Sequence, residues 1–150
     1  MPFSKTALLI FSTLAALSSA LPGSHRSEID LPISPRDETT IHPVTCYGRS
    51  YTPAELSAAV AEGCRQEQKN KNRRRSGYPH WYKNREGIAF QMSASKYMEY
   101  PILYSGEVYP GYGIPGPDRV VFVSESCIYA GAMTHNGAPA DHPNWFVACT

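Results

Sequence analysis

Four side chains suited to proton transfer around an anion stand far apart in this sequence: His80, Glu99, Arg119 and His135. A carboxylate and an imidazole can supply a base and an acid, and each such group typically contributes about 10²–10⁴-fold to a rate. A guanidinium and a protonated imidazole stabilise negative charge as it builds on oxygen in a transition state. Each residue also has a plainer reading. A lone His is more often structural or merely exposed, and Arg119 could pair with its surroundings near Asp118. Glu99 is harder to dismiss, because a charge inside Tyr97-Met98-Glu99-Tyr100 must find partners. His25, His42 and His142 are assigned to the structural or exposed class. There is no cluster of carboxylates of the kind that holds Mg²⁺, so neither a metal nor another cofactor is expected.

These groups must be brought to one surface by the elements that carry them. Thr52-Pro53-Ala54-Glu55 reads as a capping box with Pro at the first helical position. Leu56, Ala59, Val60, Gly63 and Cys64 follow at the spacing of one apolar helix face. Beyond the helix the chain reads as strands: Gly87 to Ser93, Lys96 to Leu103, Asp118 to Val123, Cys127 to His135 and Trp145 to Cys149. Gly and Pro punctuate between them, most densely from Tyr109 to Pro117. One helix followed by a run of strands predicts an α+β domain, the helix packed on a twisted antiparallel β-sheet. Alternate strand residues share a face, so Glu99 sides with Tyr97 and Pro101, and Arg119 with Val121 and Val123. If those faces form one concave surface, a carboxylate, two imidazoles and a guanidinium converge.

The bulk properties agree with one loop-rich domain. The chain has 150 residues and a net charge of +1, which selects no partner by itself. Hydrophobic residues make up 42%, and 10 Tyr, 13 Pro and 11 Gly suit β-structure and turns better than a helical bundle.

The N-terminus sets the expected compartment. Lys5, the apolar run Ala7 to Leu17 and the small residues Ser18-Ser19-Ala20 read as a secretory signal over residues 1–20. The apolar run is shorter than the ~20 residues a membrane-spanning helix needs, so no membrane association is expected. Residues 21–45 are rich in Pro, Ser and acidic groups and read as a pro-segment or flexible leader, with Arg36 as a weak processing site. The folded domain is expected over 46–150. In an oxidising compartment, Cys46, Cys64, Cys127 and Cys149 imply two disulfides. Zinc is the rival reading, but no pair has CxxC spacing. Three pairings are possible, and spacing does not choose among them. Cys64 on the apolar helix face points to a helix-to-sheet bridge.

Five segments occur in an order and spacing that carry a resemblance: Tyr78-Pro79-His80, Tyr97 to Leu103, Pro117 to Phe122, Thr134 to Ala138 and Phe146 to Thr150. From Cys46 to Thr150 the chain resembles the guanyl-specific secreted ribonucleases of fungi, a microbial ribonuclease family with ribotoxin relatives. The resemblance implies cleavage of single-stranded RNA on the 3′ side of guanosine, giving a 2′,3′-cyclic phosphate and then a 3′-phosphate. It implies Glu99 as the base for the ribose 2′-hydroxyl and His135 as the acid for the departing 5′-oxygen. It implies His80 as an aid to the base, Tyr78 and Arg119 as phosphate ligands, and Phe146 as an apolar side chain at the phosphate. The nucleophile belongs to the substrate, so no Ser or Cys nucleophile is needed.

The same resemblance assigns base recognition to Tyr82, Lys83, Asn84, Arg85 and Glu86, with Asn144 contributing through its backbone. Glu86 can accept from guanine N1–H and the 2-amino group together, whereas adenine offers no such pair. Tyr82 is expected to stack on the base. Arg85 stands where relatives often carry a second aromatic lid, and its guanidinium plane can also stack. Lys83 replaces a neutral polar residue. The resemblance further implies Cys46–Cys149 and Cys64–Cys127 as the disulfides, the second in line with the helix-face argument. The basic stretch Lys69, Lys71, Arg73, Arg74 and Arg75 is unusual for the family. It reads equally as a solvated loop or as a patch for RNA phosphates. The alternatives are a secreted effector or RNA-binding protein on this scaffold and a ribotoxin-like toxin. The complete set Glu99, His80, Arg119 and His135 favours an active enzyme. A monomer is the default expectation.

Overall fold

The computed structural model describes residues 40–70 and 77–150. The signal segment, most of the leader with His25 and Arg36, and the basic residues Lys71, Arg73, Arg74 and Arg75 lie outside the described residues.

The domain opens with a hairpin that the sequence reading did not include. Strands β1 (Val44–Cys46) and β2 (Arg49–Tyr51) pair antiparallel through a two-residue turn. Tyr47 and Gly48 in that turn have φ of 46° and 88°, the left-handed geometry that a twisted two-residue hairpin demands. Folded structure therefore begins ahead of position 46, and Ile41 already packs on the core.

Helix α1 spans Pro53–Asn70. The capping box forms as its chemistry requires. The Thr52 N–H and hydroxyl donate to the Glu55 carboxylate at 2.7 and 2.8 Å, and the Glu55 N–H donates to the Thr52 hydroxyl at 3.3 Å. The expected apolar face is buried: Leu56, Ala59, Val60, Gly63 and Cys64 all turn inward. Gly63 marks the closest approach. A Cβ there would stand 2.9 Å from Phe122 Cε1 and from Tyr100 Cβ, so a side chain would push helix and sheet apart.

The helix lies on a five-stranded antiparallel sheet of order β3-β4-β5-β6-β7, each strand beside its neighbour in sequence. The strands are β3 (His80–Tyr82), β4 (Tyr97–Pro101), β5 (Asp118–Val123), β6 (Tyr129–Thr134) and β7 (Val147–Ala148). The fold is α+β with the helix on one face, as expected. Leu56, Val60, Met98, Tyr100, Val120 and Phe122 fill the core beneath the helix. A smaller cluster on the other face joins Tyr82, Val121, Ala130 and Met133 to Ile88, Phe90, Tyr97 and Phe146.

Two expectations need correction. Gly87 to Ser93 is not a strand. Its apolar residues alternate, and Ile88 and Phe90 do cover the second cluster. Yet its described ladder contact is one hydrogen bond, Gln91 N–H to Ala130 O at 2.9 Å. Alternation placed the side chains correctly, but strand pairing needs a free edge along the whole run. Conversely, His80–Tyr82 forms β3 although no strand was expected there. The remaining strands are shorter than their sequence runs, except β5, which matches. A register shift between Val121 and Phe122 opposite β6 puts Ala130 in the second cluster, while Tyr129 and Ala132 face the core under the helix.

Both disulfides form as expected, Cys46–Cys149 and Cys64–Cys127. The first ties β1 to the chain end, where Thr45 and Thr150 also exchange backbone hydrogen bonds. It spans 103 residues of sequence, a loop worth about 4–5 kcal/mol in the chain-entropy account. The second fixes the helix to the turn between β5 and β6.

Candidate active site

Strand register builds the site on the sheet face away from the helix. His80 pairs with Glu99, Glu99 with Val121, and Pro101 with Arg119. These pairings align His80, Glu99 and Val121 in one row and set Arg119 two residues along β5 on the same face. The face expected from alternation is therefore formed.

Glu99 is buried, and its Oε1 stands 3.3 Å from His80 Nδ1. Its Oε2 is buried with no hydrogen-bond partner. Such an acceptor is costly unless a ligand or water satisfies it. The exposed His80 ring stacks on Tyr78 with centroids 4.1 Å apart, and the Tyr78–Pro79 peptide is cis.

Arg119 is only 4% exposed. Its Nη2 donates to the Tyr78 hydroxyl at 2.6 Å, and its Nη1 lies 2.8 Å from the carbonyls of Gly116 and Asp118 and 3.3 Å from that of Pro115. All four of these partners are neutral. A buried guanidinium held by neutral oxygens keeps its charge available to an anion. Burial pushes the Tyr78 hydroxyl above its ordinary pKa, with Arg119 opposing. Tyr78 accepts from Arg119, so its own proton is free to point toward the same anion.

His135 follows β6 and is held by two loops. Its backbone N–H donates to Pro117 O at 3.1 Å, and its Nδ1 lies 3.0 Å from Trp145 O. A carbonyl can only accept, so in this contact Nδ1 carries the proton and Nε2 is left for chemistry. The Phe146 ring stacks on His135 with centroids 3.8 Å apart, and the Arg119 guanidinium lies 5.9 Å from the Phe146 centroid. A continuous chain of contacts thus runs from Glu99 through His80, Tyr78, Arg119 and Phe146 to His135.

The loop after β3 reaches the same region. Asn84, with φ 48°, bonds both backbone groups of Ile88, its Oδ1 accepting at 2.8 Å and its Nδ2 donating at 2.9 Å. Glu86 accepts from the Phe146 N–H at 3.2 Å and from the Tyr82 hydroxyl at 3.0 Å. Tyr82, expected as a platform for a base, is 7% exposed and lies edge-on to Phe90 and Phe146. The exposed aromatic beside it is Trp81, with the Lys83 ammonium 4.7 Å from its ring centroid. Arg85 and Asn144 are exposed.

Several contributors were missed in the sequence. The carbonyls of Pro115, Gly116 and Trp145 orient Arg119 and His135, and every residue has a carbonyl, so no side-chain signal marks them. Tyr109 is buried edge-on to Tyr78 with centroids 5.7 Å apart. His142, read as structural or exposed, stacks on Trp145 at 4.0 Å.

Comparison with known proteins shows the family of the chain. The ribonuclease family profile matches residues 39–150. The chain is 37% identical over 143 residues to guanyl-specific ribonuclease F1 of Fusarium fujikuroi, covering 95% of this chain and 98% of that protein. It is 43% identical over 106 residues to guanyl-specific ribonuclease T1 of Aspergillus oryzae, covering 71% and 77%. It is 40% identical over 106 residues to an extracellular guanyl-specific ribonuclease, Fl1, of Gibberella baccata, covering 71% and 94%. By the extent of the profile match and by these identities, the chain belongs to the ribonuclease family.

Proposed function

We propose that the chain is a secreted endoribonuclease that cuts single-stranded RNA after guanosine. The observation that carries the reading is the presence of a buried carboxylate, Glu99, and a buried guanidinium, Arg119, on one sheet face, with imidazoles at both ends. In the reaction, Glu99 takes the proton of the ribose 2′-hydroxyl, assisted by His80. The 2′-oxygen attacks phosphorus. Arg119, the Tyr78 hydroxyl and the His80 ring stabilise the charge on the phosphoryl oxygens. His135 Nε2 protonates the departing 5′-oxygen, while the stacked Phe146 ring fixes the orientation of the imidazole. The cyclic phosphate is hydrolysed by the reverse roles, with water entering where the 5′-oxygen left.

Guanine preference is supported by Glu86, which lies beside Phe146 and hence beside the reacting phosphate. Its present partners, the Tyr82 hydroxyl and the Phe146 N–H, are both donors. Guanine N1–H and the 2-amino group offer donors of the same kind. Asn84 holds this loop in shape, and Lys83, Arg85 and the Asn144 backbone are read as further contacts to the base. Secretion is supported by the signal-like residues 1–20 and by the extracellular relative. The domain is read as a monomer.

The test is cleavage of GpU against ApU in EDTA by the oxidised protein. Rapid GpU cleavage to a cyclic phosphate, lost in Glu99→Ala/His135→Ala, is expected. Equal cleavage of both dinucleotides would overturn the guanine assignment. No cleavage by a folded, disulfide-bonded chain would overturn the enzyme and favour a binding role for the scaffold.

A further inference from the structure

One peptide unit touches both the imidazole and the loop read above as taking guanine. The Trp145 carbonyl lies 3.0 Å from His135 Nδ1, and the N–H of the same unit, on Phe146, donates to Glu86 at 3.2 Å. A planar trans peptide points its C=O and N–H in opposite directions, so a rotation of this unit disturbs both contacts at once. Its downstream end is fixed by the Phe146 ring, stacked on His135. Its upstream end carries the Trp145 ring, which is 39% exposed and stacks on the ring of His142. The two rings lie 4.0 Å apart and only 6° from parallel.

The local sequence builds this stack. The Ala138 N–H donates to His135 O at 3.2 Å, the His142 N–H to Pro139 O at 2.9 Å, and the Trp145 N–H to His142 O at 3.0 Å. These three successive turns carry the chain away from His135 and back to it. Pro143 stands second in the last turn, where its fixed φ is favoured. That turn brings His142 and Trp145, three residues apart, within reach of each other. Asp141 Oδ2 lies 3.6 Å from His142 Nε2, at the edge of the stacked ring.

We infer that His142 is a positioning residue for the cleavage step: its ring, stacked on Trp145, fixes the carbonyl that aims His135 at the departing 5′-oxygen. This rests on the ribonuclease reading above and extends it to a residue that touches no substrate. Without the stack, the Trp145 side chain gains rotamers and its peptide gains freedom to turn. His135 Nδ1 then loses its fixed acceptor, and Nε2 loses its aim. Misplacing a reacting group by about 1 Å can cost about 10²-fold. The loss falls on protonation of the leaving group, because His80, Glu99 and Arg119 stand on β3, β4 and β5 and not on this loop.

The test compares kcat and KM on GpU and on guanosine 3′-(p-nitrophenyl phosphate), whose leaving group departs as a stable anion and needs no proton. His142→Ala is expected to lower kcat on GpU about tenfold, with KM little changed and the nitrophenyl ester cleaved at the wild-type rate. His142→Phe keeps a flat ring and restores GpU cleavage. Trp145→Ala lowers GpU cleavage by a similar factor, and the double variant loses no more than either single one. Equal losses on both substrates, no loss on GpU, or a His142→Phe variant as slow as His142→Ala would overturn the positioning role while leaving the ribonuclease reading intact. A wild-type chain that cleaves neither substrate would overturn that reading, and the role with it.

Discussion

His80 and Glu99 face each other across β3 and β4 with Nδ1 and Oε1 3.3 Å apart, the imidazole exposed and the carboxylate buried. The pair joins a solvent-facing imidazole to a buried carboxylate. Glu99→Gln keeps the volume and removes the charge. The expected result is a fall in kcat/KM for GpU of about 10²–10⁴-fold, with the far-UV spectrum unchanged. Wild-type activity in this variant would remove Glu99 from the reaction.

Arg119→Lys tests whether planarity matters as well as charge. An ammonium cannot reach Tyr78 and the carbonyls of Gly116 and Asp118 with the guanidinium's fixed fork. Urea unfolding should show a loss of about 1–3 kcal/mol, as buried oxygens lose their donors. RNA cleavage should fall as well. Retained stability and retained rate together would contradict the anchoring role.

Glu86→Gln separates base reading from catalysis. One carboxylate oxygen becomes an amide N–H₂, which repels the donors of guanine. The GpU rate should drop about 10²-fold or more while the ApU rate changes little, so their ratio narrows. A parallel fall in both would mean that Glu86 acts only by holding Phe146 through its backbone N–H.

The helix cap gives a pH-dependent stability. The Thr52 N–H, then its hydroxyl, hold the Glu55 carboxyl below its ordinary range. A depressed folded pKa stabilises the fold above the unfolded value, ~4.3, and this contribution is lost as pH falls through the folded pKa. Glu55→Gln should therefore cost about 0.3–1 kcal/mol at neutral pH. The difference from wild type should shrink toward zero in strong acid. A difference independent of pH, read by urea titration at several pH values, would exclude the charge as its source.

Local chemistry was legible in the residues alone. Thr52-Pro53-Ala54-Glu55 starts a helix because cap and carboxylate lie within one turn of each other. Leu56 to Cys64 defines its buried face because helical spacing is fixed. β5 was readable from its β-branched run, and alternation put Glu99 and Arg119 on one side of the sheet. The assignment of roles and the cysteine pairing came instead from resemblance. Tertiary structure decided everything that depends on partners distant in sequence. Gly87 to Ser93 alternates like a strand yet only drapes over the second cluster, whereas His80–Tyr82 pairs with β4 without any alternating signal. Tyr82 turned inward because Phe90 and Phe146 close around it. Arg119 and His135 are aimed by carbonyls of Pro115, Gly116 and Trp145, groups that every residue possesses. Spacing along the chain fixes which side chains share a face, but only packing decides which face is covered and which backbone oxygen a buried donor meets.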